Sequence, residues 1–411
     1  MAKCEHDGDS HIDYDFSNGR RRFLLDSLAA GGLAAGLGMP GLLSTAAAAS
    51  KDEVVRIGYL PITDATPLLV AHARGYFEDE GLEVADPELI RGWSPLVEGF
   101  ARGRYNLVHL LKPIPVWMRY NNHFPVKIMA WAHTNGSAVL MSQASGAKEF
   151  ADLGGTQIAV PFWYSVHNVL LQMALREAGL EPVIQDQSAE LADNQVNLAI
   201  LPPAEMPSAL AAGRIDGFTV AEPFNAAGEL LANGSLLRFT GDIWKNHPCC
   251  VLCMNEKQVE ANPERTQKVL NALVRAELYA QQNKVETAEM LSRDGKGYLP
   301  MPANVVVRAM THYDPEEYAD PRAIRHSEWG VGRIDFAPYP YPSAPRELVR
   351  NMTQTLVGGD KTFLDDLDPD RVAADLVDDR FVRRALEQYP EAHQGDVTAD
   401  TAWEREEIIR L

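Results

Sequence analysis

Short apolar runs alternate with segments of helical period from Glu53 onward. The run VVRIGYLP reads as a buried strand, and Thr66-Pro67 opens a helix that ends at Gly75. Leu82–Val84 begins the next strand; Ser94-Pro95 caps a further helix that stops at Gly103, and NLVHLL is again a strand. Strands separated by helices of roughly 10–15 residues predict parallel-rich sheets with helices on both faces, an α/β fold.

One pattern recurs along the chain. EGFARGRYNLVHLL (98–111) and SALAAGRIDGFTVAEP (208–223) each read as a helix, then Gly-Arg, then a strand. In both, a glycine supplies the left-handed turn from helix into strand. Two such units predict two similar lobes, with a boundary in the Gly-rich stretch SGAKEFADLGGTQIAVP (145–161). Lobe I is expected over 53–145 and 240–411, and lobe II over 146–239. Asn262-Pro263 caps a long helix with Val269, Leu270, Leu273, Val274 and Leu278 on one face. Residues 300–411 form a helical C-terminal extension interrupted by PYPYPSAP (338–345), and the acidic end after Ala392 is expected to fray or pack loosely.

Composition narrows the function. The chain has 411 residues, 46% of them hydrophobic, and a formal net charge of −19, which excludes a nucleic-acid backbone as partner. The start carries a basic GRRRFLL (Gly19–Leu25), a weakly apolar Gly/Ala-rich stretch and then STAAAAS. This order is that of an export leader over 1–49, and Arg20-Arg21-x-Phe23-Leu24 resembles a twin-arginine signal with cleavage near Ala46–Ala49. The twin-arginine translocase is therefore an expected partner, and the periplasm the expected location. No cysteine stands at that point to carry a lipid anchor. Export would leave Cys249, Cys250 and Cys253, an odd count that keeps at least one thiol unpaired.

In open α/β sheets ligands sit beyond the carboxyl ends of strands, where helix N-termini offer free N–H groups. Four such places occur: after GYLP, at Trp93-Ser94-Pro95, at Lys112-Pro113 and at Ser165–His167. Together they favour a small anion. The stretches IGYLPITDATPLLVAHARGYFEDEGLEV, GRIDGFTVAEPFNAAGELLANG and GDIWKNHP resemble the nitrate-, bicarbonate-, taurine- and sulfonate-type solute-binding proteins of ABC importers, the nitrate/bicarbonate branch above all. The resemblance implies a two-lobed periplasmic binding protein fold of type II, hinged, with one solute in the cleft. It implies delivery to ABC permease and ATPase subunits, with no catalytic residue, no cofactor and no metal. Carried over, the pocket takes Trp93, backbone at Gly136, the side chain of Ser137, His167, and Glu222-Pro223 near the hinge. Phe162, Trp163 and Tyr164 would make the cleft more aromatic than in nitrate binders. The position at which those binders hold a lysine against the anion falls on Cys250, and Lys112 is the candidate replacement charge. Both changes favour a sulfonate or another small anion over nitrate.

NHPCCVLCMN (246–255) places three cysteines within five positions. In a strand, residues 250 and 253 lie roughly 10 Å apart on opposite faces, beyond the about 7 Å a disulfide tolerates. Cys249 and Cys253 lie roughly 13 Å apart, too far to share an ion bound at about 2.3 Å from each sulfur. A strained Cys249–Cys250 disulfide stays open. Cys249 and Cys253 read as small buried apolar residues and Cys250 as facing the cleft. Two other readings compete: a periplasmic sensor subunit serving a membrane receptor, and an enzyme similar to the pyrimidine-forming enzymes of thiamin biosynthesis.

Overall fold

The computed structural model describes residues 53–393 and 403–411, so the expected leader and its cleavage site fall outside the described residues. Strands β1 (Ile57–Tyr59), β2 (Glu88–Leu89), β3 (Leu107–Leu111) and β4 (Val126–Trp131) come first, and β5 (Thr134–Asn135) follows in a crossing segment. Next come β6 (Ser137–Ser142), β7 (Gln157–Val160), β8 (Glu181–Val183), β9 (Gln195–Ile200), β10 (Gly217–Ala221) and β11 (Gly234–Phe239). The chain then returns through β12 (Cys250–Asn255), and a short β13 (Ile334–Asp335) pairs with β5. One sheet has the order β2-β1-β3-β12-β4 and the other β11-β6-β10-β7-β9-β8. Both are mixed. β1 is parallel to β2 and β3 while β12 is antiparallel to its neighbours; β7, β8, β9 and β10 pair in parallel while β6 runs against β10 and β11.

The two glycine turns form as the repeat predicts: Gly103 and Gly213 adopt φ +73° and +66° after their helices, a conformation that costs a residue with a Cβ. Asn262 caps the long helix Pro263–Gln282 by accepting the Arg265 N–H at 3.0 Å. That helix buries Val269, Leu270, Leu273 and Val274 and packs on helices Thr66–Ala73 and Arg380–Gln388. The helix expected to be capped by Ser94, with Pro95 its first residue, begins two residues earlier, at Trp93, with Gly92 as its cap.

Two features differ from expectation. β6 belongs to the second sheet, so the first crossing lies at 132–136, ahead of the Gly-rich stretch at 145–161. A run such as SAVLM satisfies either sheet, and the crossing is marked only by Asn135-Gly136, both at positive φ. Of the segment expected to fray or pack loosely, the described residues 403–411 do neither. Residues 403–411 lie against the Trp244 turn: Lys245 N–H donates to the Ile408 carbonyl at 3.0 Å, Arg410 N–H to Ile243 at 2.8 Å, and the Trp244 indole to Glu407 at 2.6 Å.

Candidate functional site

The junction of the two sheets gathers side chains from five places. Asp64 sits on the turn Thr63–Ala65 that follows β1, and His109 on β3. His133 and Ser137 flank the first crossing, while Thr240, His247 and Cys249 line the return to β12. His167 stands in the first turn of helix Val166–Glu177, which Ser165 caps by accepting the Asn168 N–H at 3.0 Å. All are at most 2% exposed.

A chain of hydrogen bonds links them. His167 Nε2 lies 2.8 Å from the Ser137 hydroxyl and 3.8 Å from Cys249 Sγ, which is 3.6 Å from the same hydroxyl. Thr240 donates to the Ser137 carbonyl at 2.9 Å and meets His247 Nε2 at 2.8 Å. The Leu60 N–H donates to His109 Nε2 at 3.0 Å, and the Trp93 ring packs edge-on against His109. Trp93 Nε1, His109 Nδ1, His167 Nδ1 and His247 Nδ1 have no hydrogen-bond partner among the described residues. Each such buried group costs about 1–3 kcal/mol unless something meets it.

Burial holds His109 and His247 down to about 3, so both rings are neutral. His133 goes the other way. Burial works against its charge, but Asp64, 2.9 Å away, and Cys249 together outweigh burial and push it up to about 10. Burial raises Asp64 itself. It also disfavours a charged Cys249, yet the neighbouring Cys250 thiol, His167 and His133 hold Cys249 well below the ordinary thiol range. Cys250 and Cys253 are pushed well above it by burial.

The structure brings Trp93, Ser137, His167 and Cys250 to this junction, with Gly136 beside them: at φ +76°, a Cβ there would meet the His133 ring at 3.0 Å. It takes three expected residues elsewhere. The Lys112 ammonium, 1% exposed, lies 5.4 Å from the Trp244 ring, and the charges that act on it are Glu407, Arg405 and Glu347. Its charge is thus turned to the C-terminal segment that covers it, not to Ser137 and His167. Trp163 packs against Gly358 and Val357 of the extension, and Tyr164 stacks on Trp117 at 5.7 Å. The Glu222 carboxylate is bound by Arg333, Nε to Oε1 at 2.7 Å, and by the Ala226 N–H at 3.0 Å. Only its backbone borders the junction, accepting from the Thr63 N–H at 2.8 Å and donating to the Gly136 carbonyl at 2.9 Å.

The sequence reading missed Asp64, His109, His133, Thr240 and His247. It also placed Cys249 in an apolar setting, whereas its sulfur is the charge common to the histidines around it. Alternation along a strand misled here, because β12 begins only at Cys250. Cys253 is as expected, buried with only a weak contact to the Val251 carbonyl.

Comparison with known proteins gives these geometries a context. The sequence profile of the NMT1-like family matches residues 48–292, more than half of the chain. A nitrate/nitrite binding protein NrtA of Nostoc sp. is 29% identical over 329 residues, covering 73% of this chain and 70% of that protein. A bicarbonate transport ATP-binding protein CmpC of Synechocystis is 27% identical over 256 residues, 58% of this chain but 37% of that longer protein. The crystal structure of the periplasmic nitrate-binding protein NrtA from Synechocystis superposes with a TM-score of 0.69 at 19% identity, covering 85% of this chain and 91% of that one. That likeness shows the fold: a periplasmic binding protein of type II, with two mixed sheets flanked by helices.

Proposed function

Because the chain belongs to the NMT1-like family, we propose that it is the solute-binding component of an ABC-type importer, taking a small oxyanion between its two sheets and passing it to permease and ATPase subunits. The observation that carries this reading is the pair of unpartnered ring N–H groups of Trp93 and His109 at the sheet junction, beside the His167 ring. A solute with several oxygens meets donors from different elements at once. The first turn of helix Val166–Glu177 adds backbone N–H groups and a partial positive charge. Export to the periplasm by a twin-arginine route belongs to the same reading. No helix among the described residues is long and apolar enough to cross a membrane.

A thermal-shift panel with nitrate, nitrite, bicarbonate, cyanate, taurine and alkanesulfonates tests it. A true solute at about 100 times its dissociation constant adds roughly 2.7 kcal/mol and raises Tm. The rise should shrink in Ser137→Ala and His167→Ala. A panel in which no oxyanion moves Tm overturns the reading.

A further inference from the structure

Beside the Ser137–His167 pair, four side chains bring one ligand atom each to a single point. These are a carboxylate oxygen of Asp64, a ring nitrogen of His133 and the sulfurs of Cys249 and Cys250, all within 4.8 Å of one another and all buried. We propose that this cluster is a binding site for a zinc-class divalent transition-metal ion, held by Asp64, His133, Cys249 and Cys250.

The donor set points to the class of ion. Two thiolates, an imidazole and a carboxylate suit tetrahedral zinc and its soft neighbours, whereas calcium and magnesium take oxygen ligands. Around a tetrahedral ion with bonds of about 2.0–2.3 Å, donor atoms lie roughly 3.3–3.8 Å apart, so the four need close by little. They come from three separate segments, the turn after β1, the crossing at 132–136 and the start of β12, each fixed by backbone pairing. The Cys250 carbonyl accepts the Ala132 N–H at 3.0 Å, and the Cys249 carbonyl accepts the Lys112 N–H at 3.0 Å. The ligands are therefore placed before any ion arrives.

A second observation is independent of the four. Glu277, on helix Pro263–Gln282, is fully buried with neither carboxylate oxygen hydrogen-bonded among the described residues, and the neighbouring charge acting on it is His133. His133 Nδ1 also lacks a hydrogen-bond partner among the described residues, and the buried Asp64 carboxylate is paired with His133 Nε2 at 2.9 Å. Acidic groups gathered this way in a dry interior cost energy unless a cation meets them. The site stands whether or not the solute is an anion.

The test uses reduced, chelator-treated protein titrated with Co²⁺ and then Zn²⁺, with no oxyanion present. One Co²⁺ per chain is expected, with thiolate-to-cobalt charge-transfer absorption that Zn²⁺ abolishes. Cys249→Ser/Cys250→Ser should remove that absorption, Cys253→Ser should keep it, and Asp64→Asn should weaken affinity at least about tenfold. X-ray absorption on zinc-loaded wild type needs no folded variant and should give two sulfurs at about 2.3 Å. A first shell without sulfur overturns the site, as does reduced wild type that takes up no stoichiometric Co²⁺. Survival of the charge-transfer band in the double variant does the same. Loss of the metal with Tm still raised by an oxyanion would sink this inference and leave the solute reading intact.

Discussion

Replacing Arg333 with methionine removes the cation at the centre of a buried network. Its guanidinium donates to Glu222 Oε1 at 2.7 Å, to Glu229 Oε2 at 2.8 Å and to the Tyr318 hydroxyl at 2.9 Å. Glu222 is 0% exposed, so no water takes over. Burial works against the charge on Glu229 as well, and Arg333 with Arg308 outweighs it and holds that carboxyl below its usual range. Stranding such charges costs about 3–5 kcal/mol, while a neutral replacement of both partners is close to neutral in stability. Arg333→Met should therefore lower the unfolding free energy by that amount, read as a lower urea midpoint at unchanged slope, and Arg333→Met/Glu222→Gln should recover more than about 1 kcal/mol of it. A single-variant loss under about 1 kcal/mol, or strict additivity in the double, refutes the argument.

Lys112→Met should leave oxyanion affinity within about threefold and stability unchanged or higher, since the ammonium is buried without a hydrogen-bond partner; calorimetry showing a loss of tenfold or more would return its charge to the solute. Glu407→Ala should cost about 2–4 kcal/mol in denaturant unfolding, because the Trp244 indole at 2.6 Å and the Ser343 hydroxyl at 2.6 Å both lose their acceptor. Asp375 is held at about 2, chiefly by the Arg119 hydrogen bonds, against 3.8 ordinarily. A depressed carboxyl stabilises above its unfolded value, so its contribution is complete above pH 3.8 and fades as pH falls towards about 2. Asp375→Asn should flatten the fall of Tm across that window, and an unchanged acid limb would exclude the Arg119 pairing as its source.

Much of the architecture is legible because it is local. The helix-to-strand glycines at 103 and 213, the Asn262-Pro263 cap and the returning strand, read over Cys249–Met254 and formed over Cys250–Asn255, all carry their signal within a few residues. The crossing at 132–136 does not, since an apolar strand looks the same in either sheet. The candidate site is less legible still. Trp93, Ser137 and His167 were reached through resemblance, but Asp64, His133 and Cys249 lie far apart in sequence and meet only through pairing of β3, β12 and the crossing. Nothing near Asp64 in the chain announces a thiol partner. Lys112 and Glu407 likewise come together only because residues 403–411 fold back, which a polar, acidic segment does not advertise.

The bonds between Thr63 and Glu222 bear on timing. Thr63 follows β1 in one sheet and Glu222 follows β10 in the other, and the Thr63 N–H and hydroxyl both donate to the Glu222 carbonyl, at 2.8 and 3.1 Å. Any parting of the sheets that admits a solute must break this clasp or drag the turn bearing Asp64 with it. Two buried bonds at about 0.5–1.5 kcal/mol each slow such parting by about 5- to 160-fold relative to a chain without them. With a solute held between the sheets as proposed, the clasp would set how long it stays.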